Sequence, residues 1–146
     1  MSRLVKLEIM TPSKVFYRGM VKMVIVRTLE GDEGFMAGHS WACKLLNIGE
    51  LWIQEETENS QDDGWRVAAC AGGFIDVQDS IIIYTDAAEW STEIDIQRVM
   101  QERKSAEDWL QTDTKHDPNE VERAKIAIAK SITRMSVAEG GKRRRK

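Results

Sequence analysis

Two prolines, two cysteines and two histidines are all that 146 residues contain, and each scarcity removes a class of function. Two cysteines cannot build the dense disulfide framework of a small secreted domain, nor a four-thiolate zinc site. Cys43 and Cys70 both sit in apolar runs, which predicts buried free thiols in a reducing compartment. His39 and His116 stand alone and far apart in sequence, so neither a zinc cluster nor a nucleophile–base pair can be assembled from them. Gly140-Gly141-Lys142 lacks the first glycine, the preceding strand and the hydroxyl of a phosphate-cradling loop, and Gly72-Gly73-Phe74 is no dinucleotide fingerprint. No run approaches the roughly 20 apolar residues that span a bilayer. The opening Met1-Ser2-Arg3-Leu4-Val5-Lys6 has no apolar signal core, so export is not expected. The many carboxylates are expected on solvated faces rather than in an acid–base pair. A non-catalytic chain without metal or resident cofactor is the reading these absences favour.

What is present is a soluble composition with uneven charge. Hydrophobic residues make up 42% and charged residues 31%, enough for one ordinary domain or a small one with an appendage. Residues 1–89 carry 8 basic and 14 acidic side chains, and residues 90–141 carry 8 and 10. The chain then closes on Lys142-Arg143-Arg144-Arg145-Lys146. An acidic body with a basic tip suggests polarised partners and does not describe a nucleic-acid face.

Two periodicities divide the chain. Up to about residue 88 apolar residues alternate or run in short blocks: Val5, Leu7 and Ile9, then "VKMVIVRT" (21–28), "ELWIQ" (50–54), "WRVAAC" (65–70), "GFIDV" (73–77) and "SIIIYT" (80–85). Turn signals at Gly31-Asp32, Gly34, Gly38, Gly49 and Asp63-Gly64 separate them, as in a sandwich or barrel of short strands. "EGDEGFMAGHS" (30–40) reads as a hairpin loop with Phe35 and Met36 exposed, and "EETENSQDDG" (55–64) as an elongated polar hairpin. Gly72-Gly73 permits either a corner inside the sandwich or an edge where another chain approaches closely.

From residue 91 the spacing becomes helical. Ile96, Val99, Met100, Arg103, Ala106, Trp109 and Leu110 form one stripe, with Thr92 and Asp95 offering a cap. Asp117-Pro118-Asn119-Glu120 opens a second helix, whose stripe is Val121, Ala124, Ile128, Ile132 and Met135 and which ends at Gly140-Gly141. The predicted fold is an N-terminal antiparallel β-sandwich over 1–88 followed by a C-terminal two-helix antiparallel hairpin over 89–146. The hairpin's stripes are poor in bulky residues, which predicts an arm with more than one docking position.

Six segments in order carry a family resemblance: "VKLEIMTPSKVFYRGMVKMVIVRTLEGDEGFMAGH", "IGEL", "RVAACAGGFIDV", "DAAEW", "EIDIQRV" and "ITRMSVAEG". Together they resemble the epsilon subunit of the bacterial F-type ATP synthase. The resemblance implies a rotor subunit of the central stalk, bound to the gamma subunit and the c-ring. It implies a peripheral position on the cytoplasmic face of the bacterial cell membrane, without insertion. It also implies that the arm can extend toward the catalytic head, meet its beta subunit and inhibit ATP hydrolysis. The alternative is a free-standing ATP-sensing regulatory module.

The resemblance implies three groups of site residues. The 30–40 segment, with Asp32, Glu33, Phe35, Met36 and His39, would face the c-ring and gamma, although Trp41 replaces a proline common in the family. The basic tip Lys142, Arg143, Arg144, Arg145 and Lys146 would meet acidic groups of the beta subunit. Some relatives bind regulatory ATP between sandwich edge and hairpin; of that motif Glu89, Ile94, Asp95, Arg98 and Arg134 match here. Val99 replaces an alanine, and Ser105 and Lys130 replace arginines. Losing two fork-shaped donors predicts weak or absent ATP binding.

Overall fold

The computed structural model describes residues 3–112 and 115–141. Eight strands come first: β1 (Val5–Met10), β2 (Val15–Val21), β3 (Met23–Thr28), β4 (Gly31–Met36), β5 (Ala42–Gln54), β6 (Trp65–Val77), β7 (Ile81–Tyr84) and β8 (Ala88–Trp90). A 3-10 turn at Ser91–Glu93 leads into α1 (Ile96–Leu110) and α2 (Pro118–Ala138). The strands form one continuous sheet in the order β2-β1-β7-β6-β5-β3-β4, with β8 added to β6. All pairings are antiparallel except that of β1 with β7. The sheet folds over itself, and the Lys22 amide donates to the Gln54 carbonyl at 2.7 Å, joining the end of β2 to the end of β5.

Between the layers lies a core of Leu7, Ile9, Val24, Val26, Phe35, Leu51, Ile53, Ile75, Ile81, Ile83 and their neighbours, nearly all below 2% exposed. Period-two alternation puts these residues inward while Lys6, Glu8 and Arg18 point out. Three features differ from the sequence expectation. Residues 31–36, read as loop, form β4 against β3, and Phe35 is buried rather than exposed. β2 was hidden because its burial is intermediate along most of its length. Cys70 is buried as expected, but Cys43 is exposed, because it lies on the outer face of β5, opposite Asp76 of β6.

β6 also joins two runs that read as separate strands. Its last part pairs with β7 and its first with β8, so the strand must bend from one layer into the other. Gly72 and Gly73 make that corner at φ +89° and +117°. A Cβ on Gly73 would fall on the Tyr84 carbonyl oxygen and 2.9 Å from Thr85 Cα. The close approach is therefore to the chain's own backbone.

Both helices begin as the sequence predicts. Asp95 caps α1, accepting from the Arg98 amide at 3.2 Å, and Asp117 caps α2, accepting from the Asn119 amide at 2.9 Å. Thr92 takes no part in the α1 cap and lies in the 3-10 turn. The beginning of α1 and the end of α2 meet in one apolar cluster with the sheet, so the helices run antiparallel.

Gly73→Ala should cost more than about 4 kcal/mol, beyond the usual range for single substitutions, because both backbone conformation and space are wrong for a side chain. Gly31→Ala, at φ +114° but in open space, should cost only about 1–3 kcal/mol. Urea unfolding of both variants checks the ranking; equal costs would mean that β6 does not need its corner.

Candidate functional site

The hairpin lies against the outer face of β5 and β6. Val67 and Ala69 of the sheet pack with Ile94, Val99 and Val137, flanked by Trp52, Met135 and Ala138. This docking explains why the helical stripes are only partly buried: Ile96, Met100 and Ile132 stay 43%, 55% and 46% exposed, while Ser131, Thr133 and Val137 are buried on α2. At the far end Ser136 donates to the Glu50 carboxylate at 2.9 Å, which also accepts from the Trp52 indole at 3.1 Å.

Trp90 anchors the joint between sheet and hairpin. Its ring stacks on Phe16 at 4.6 Å, meets Tyr17 edge-on, and carries the Arg66 guanidinium 3.9 Å above it. Tyr17 donates to Glu55 at 2.8 Å. Burial, reinforced by that bond, pushes its hydroxyl well above the ordinary tyrosine range. Trp90 is thus held by the sandwich although it lies within the segment 89–146 expected from the sequence to be the arm.

Beside this joint a cleft of about 400 Å³ opens between the sheet edge and both helices. Of the residues singled out in the sequence, Glu89, Arg98, Lys130 and Arg134 line it. Asp95 and Ser105 do not: the first is engaged as a helix cap and the second is exposed on α1. Arg134 reaches Glu89 through two nitrogens, at 2.7 and 3.2 Å, and Glu102 through a third at 3.1 Å. Glu102 in turn accepts from Arg98 at 3.2 Å. One chain of charge, Glu89–Arg134–Glu102–Arg98, therefore ties β8 to α2 and α1. Sequence matching missed Glu102, although its i,i+4 spacing from Arg98 carried the signal of an ion pair.

The 30–40 segment divides its candidates. Asp32 pairs with Arg27 at 3.0 Å and Glu33 with Lys44 at 2.6 Å. Phe35 turns into the core, its ring 4.7 Å from His39. Met36 and Trp41 remain 52% and 69% exposed beside exposed His39. Asp32 lies four residues along β4 from Met36, roughly 13 Å away, so the exposed group comprises Met36, His39 and Trp41 without the acids. Positions 142–146, the basic tip, lie outside the described residues. Among the described residues no helix is long and apolar enough to cross a membrane, and no cluster of His, Cys, Asp and Glu suits a metal ion.

Sandwich, joint and docked hairpin match two family models in tandem. Residues 4–91 match the ATP synthase delta/epsilon chain β-sandwich domain, and residues 92–139 match its long α-helix domain. The chain belongs to the ATP synthase delta/epsilon-chain family. It is 37% identical over 135 residues to the ATP synthase epsilon chain of Caldicellulosiruptor saccharolyticus, covering 92% of this chain and 93% of that one. It is 43% identical over 107 residues to the epsilon chain of Alkaliphilus metalliredigens, covering 73% and 75%. The fold is similar to a chain in the Euglena gracilis mitochondrial ATP synthase OSCP/F1/c-ring structure, with a TM-score of 0.77 at 22% identity over 92% of this chain and 81% of that one. A chain of the Tetrahymena thermophila mitochondrial ATP synthase central stalk/c-ring gives a TM-score of 0.60 at 14% identity, covering 92% and 96%.

The Lys44 ammonium, with help from Thr28, holds the Glu33 carboxyl below the ordinary glutamate range, and Glu33 raises Lys44 in return. A carboxyl depressed by folding contributes stability above its unfolded pKa, and that contribution is lost as pH falls through the folded value. NMR titration should find Glu33 below the ordinary range in the native chain and shifted upward in Lys44→Ala. An unmoved Glu33 would mean that Lys44 does not set its charge.

Proposed function

We propose that the chain is a non-catalytic rotor subunit of a bacterial ATP synthase, seated on the central stalk at the cytoplasmic face of the membrane. Its sandwich, residues 1–88, binds the gamma subunit and the c-ring. Its arm, residues 89–146, is a brake that leaves the sandwich, extends toward the beta subunit and slows ATP hydrolysis. The observation that carries this reading is the small seam between arm and sheet. Five buried apolar side chains join them, against fifteen in the core of the sandwich, so the arm can leave without unfolding what remains.

The energetics support such an equilibrium. Arg134, Glu89 and Glu102 are 22%, 33% and 46% exposed, and ion pairs this wet contribute little individually. A partner contact of a few kcal/mol is then sufficient to shift the docked population. The 21 residues of α2 reach roughly 30 Å when extended away from the sheet. The five cations at 142–146 would add a salt-sensitive attraction to acidic groups on the catalytic head. Exposed Met36, His39 and Trp41 are the c-ring-facing candidates of the sandwich, with Asp32 and Glu33 held aside in ion pairs.

Two truncations test the brake. Cutting after Trp90 keeps the whole anchored joint, and should raise ATP hydrolysis by the assembled complex while leaving assembly intact. Removing only 142–146 should give a smaller rise, largest at low ionic strength. If neither deletion changes the rate, the arm is no brake; if the chain fails to co-purify with a gamma subunit yet binds ATP, the free-standing sensor replaces the rotor reading.

A further inference from the structure

We propose that Glu102 gates the cleft between sheet and hairpin: it occupies the arginines that a polyphosphate anion would need, so the arm is latched by its own carboxylate. The inference rests on the reading of the hairpin as a docked arm. Three cations, Arg98, Lys130 and Arg134, line the cleft together with two carboxylates, Glu89 and Glu102. Among the described residues Lys130 has no carboxylate within ion-pair distance, whereas both arginines are engaged.

The two carboxylates play different parts. Glu89 stands on β8, whose pairing with β6 sets Glu89 opposite Ala69, and it takes one edge of the Arg134 guanidinium through two nitrogens. Glu102 stands on α1 and takes the remaining nitrogen while also accepting from Arg98. An anion entering the cleft meets Lys130 free, but Glu102 lies against both guanidinium groups, so an anion that draws on Arg98 and Arg134 together must sit beside this carboxylate or displace it. A planar guanidinium gives phosphate its strongest hydrogen bonds when its fork is open. Glu102 holds one nitrogen of each guanidinium at once, Nη1 of Arg134 and Nε of Arg98. The gate also does what such a ligand would do mechanically, because it joins α1 to α2 beside the sheet edge.

Glu102→Gln removes the charge and keeps the shape, which leaves the cleft lining one unit more positive and weakens the hold on one nitrogen of each guanidinium, with Glu89 still on the other edge of Arg134. Glu107→Gln is the control: it removes an equal charge from another i,i+4 pair on α1, with Arg103, which lines a separate groove on the hairpin. Calorimetry on the full chain would use ATP and, separately, inorganic tripolyphosphate. The wild type should bind both at millimolar concentrations or more weakly, and Glu102→Gln should bind both at least tenfold more tightly. Glu107→Gln should match the wild type, and adding Arg134→Gln to Glu102→Gln should abolish the gain. A gain with ATP alone would assign the recognition to the nucleoside and overturn the gate, as would equal gains from both glutamine variants, or micromolar binding by the wild type. Hydrogen exchange at the amides of 131–137 reports whether the hairpin stays docked in Glu102→Gln. If the hairpin undocks, tripolyphosphate should restore protection at concentrations without effect on the wild type; failure to restore it overturns the proposal. None of these outcomes bears on the brake, which is read from hydrolysis by the assembled complex.

Discussion

A thin apolar seam governs how this chain is built. Val67 and Ala69 on the outer face of the sheet meet Ile94, Val99 and Val137 from the hairpin, and most of these side chains are small. Burial contributes stability roughly in proportion to apolar area, so a seam of valine, alanine and one isoleucine holds far less strongly than the core of isoleucines, leucines and Phe35 inside the sandwich. The molecule thus has one part that must stay folded and another that needs only to stay docked. Ile96, Met100 and Ile132 of the helices remain exposed.

Polar groups set the geometry that the seam alone would leave loose. Trp90, held between Phe16 and the Arg66 guanidinium, ties the start of the arm to the sandwich. The turn after it, 91–93, is closed by the Trp90 amide donating to Glu93 at 2.9 Å. Beyond that point polar ties reach the sheet among the described residues, from Arg134 to Glu89 at one edge and from Ser136 to Glu50 nearer the end of α2. Gly141 completes the second tie, since a side chain there would strike the Trp52 ring and the Glu50 carboxylate. Partly wet ion pairs are readily exchanged for others, so this arrangement suits an arm that trades contacts with its own sandwich for contacts with a partner.

Much of this was legible in the sequence where local and tertiary demands agree. Asp117-Pro118 and Asp95 marked helix starts because capping chemistry is local, and Leu7, Ile9, Ile81 and Ile83 marked strands because one face of each is wholly buried. Legibility failed where a distant partner decides. β4 lacks apolar alternation, and only its pairing with β3 makes it a strand and turns Phe35 inward. Gly72-Gly73 showed that the backbone must do something special, but not that its own Tyr84 carbonyl was the reason. The helical stripes predicted a loosely held arm, but not that Thr133 and Val137 of α2 would be among its buried residues. Glu102 was invisible to motif matching because its role depends on Arg134, 32 residues away. The family resemblance supplied what composition could not: a reason for an arm to be held so lightly.

The central claim is that sandwich and hairpin form a docked pair whose separation depends on partners. Exposed Cys43 on the sandwich and a cysteine introduced at Gln111, at the end of α1, provide two sites for spin labels, with Cys70 left buried. Pulsed dipolar spectroscopy would compare the isolated chain with the chain assembled into the ATP synthase. A single shorter distance in isolation, joined by a second and longer one in the complex, is the predicted result. One unchanged distance in both would contradict the account, since the hairpin would then be a fixed part of the sandwich.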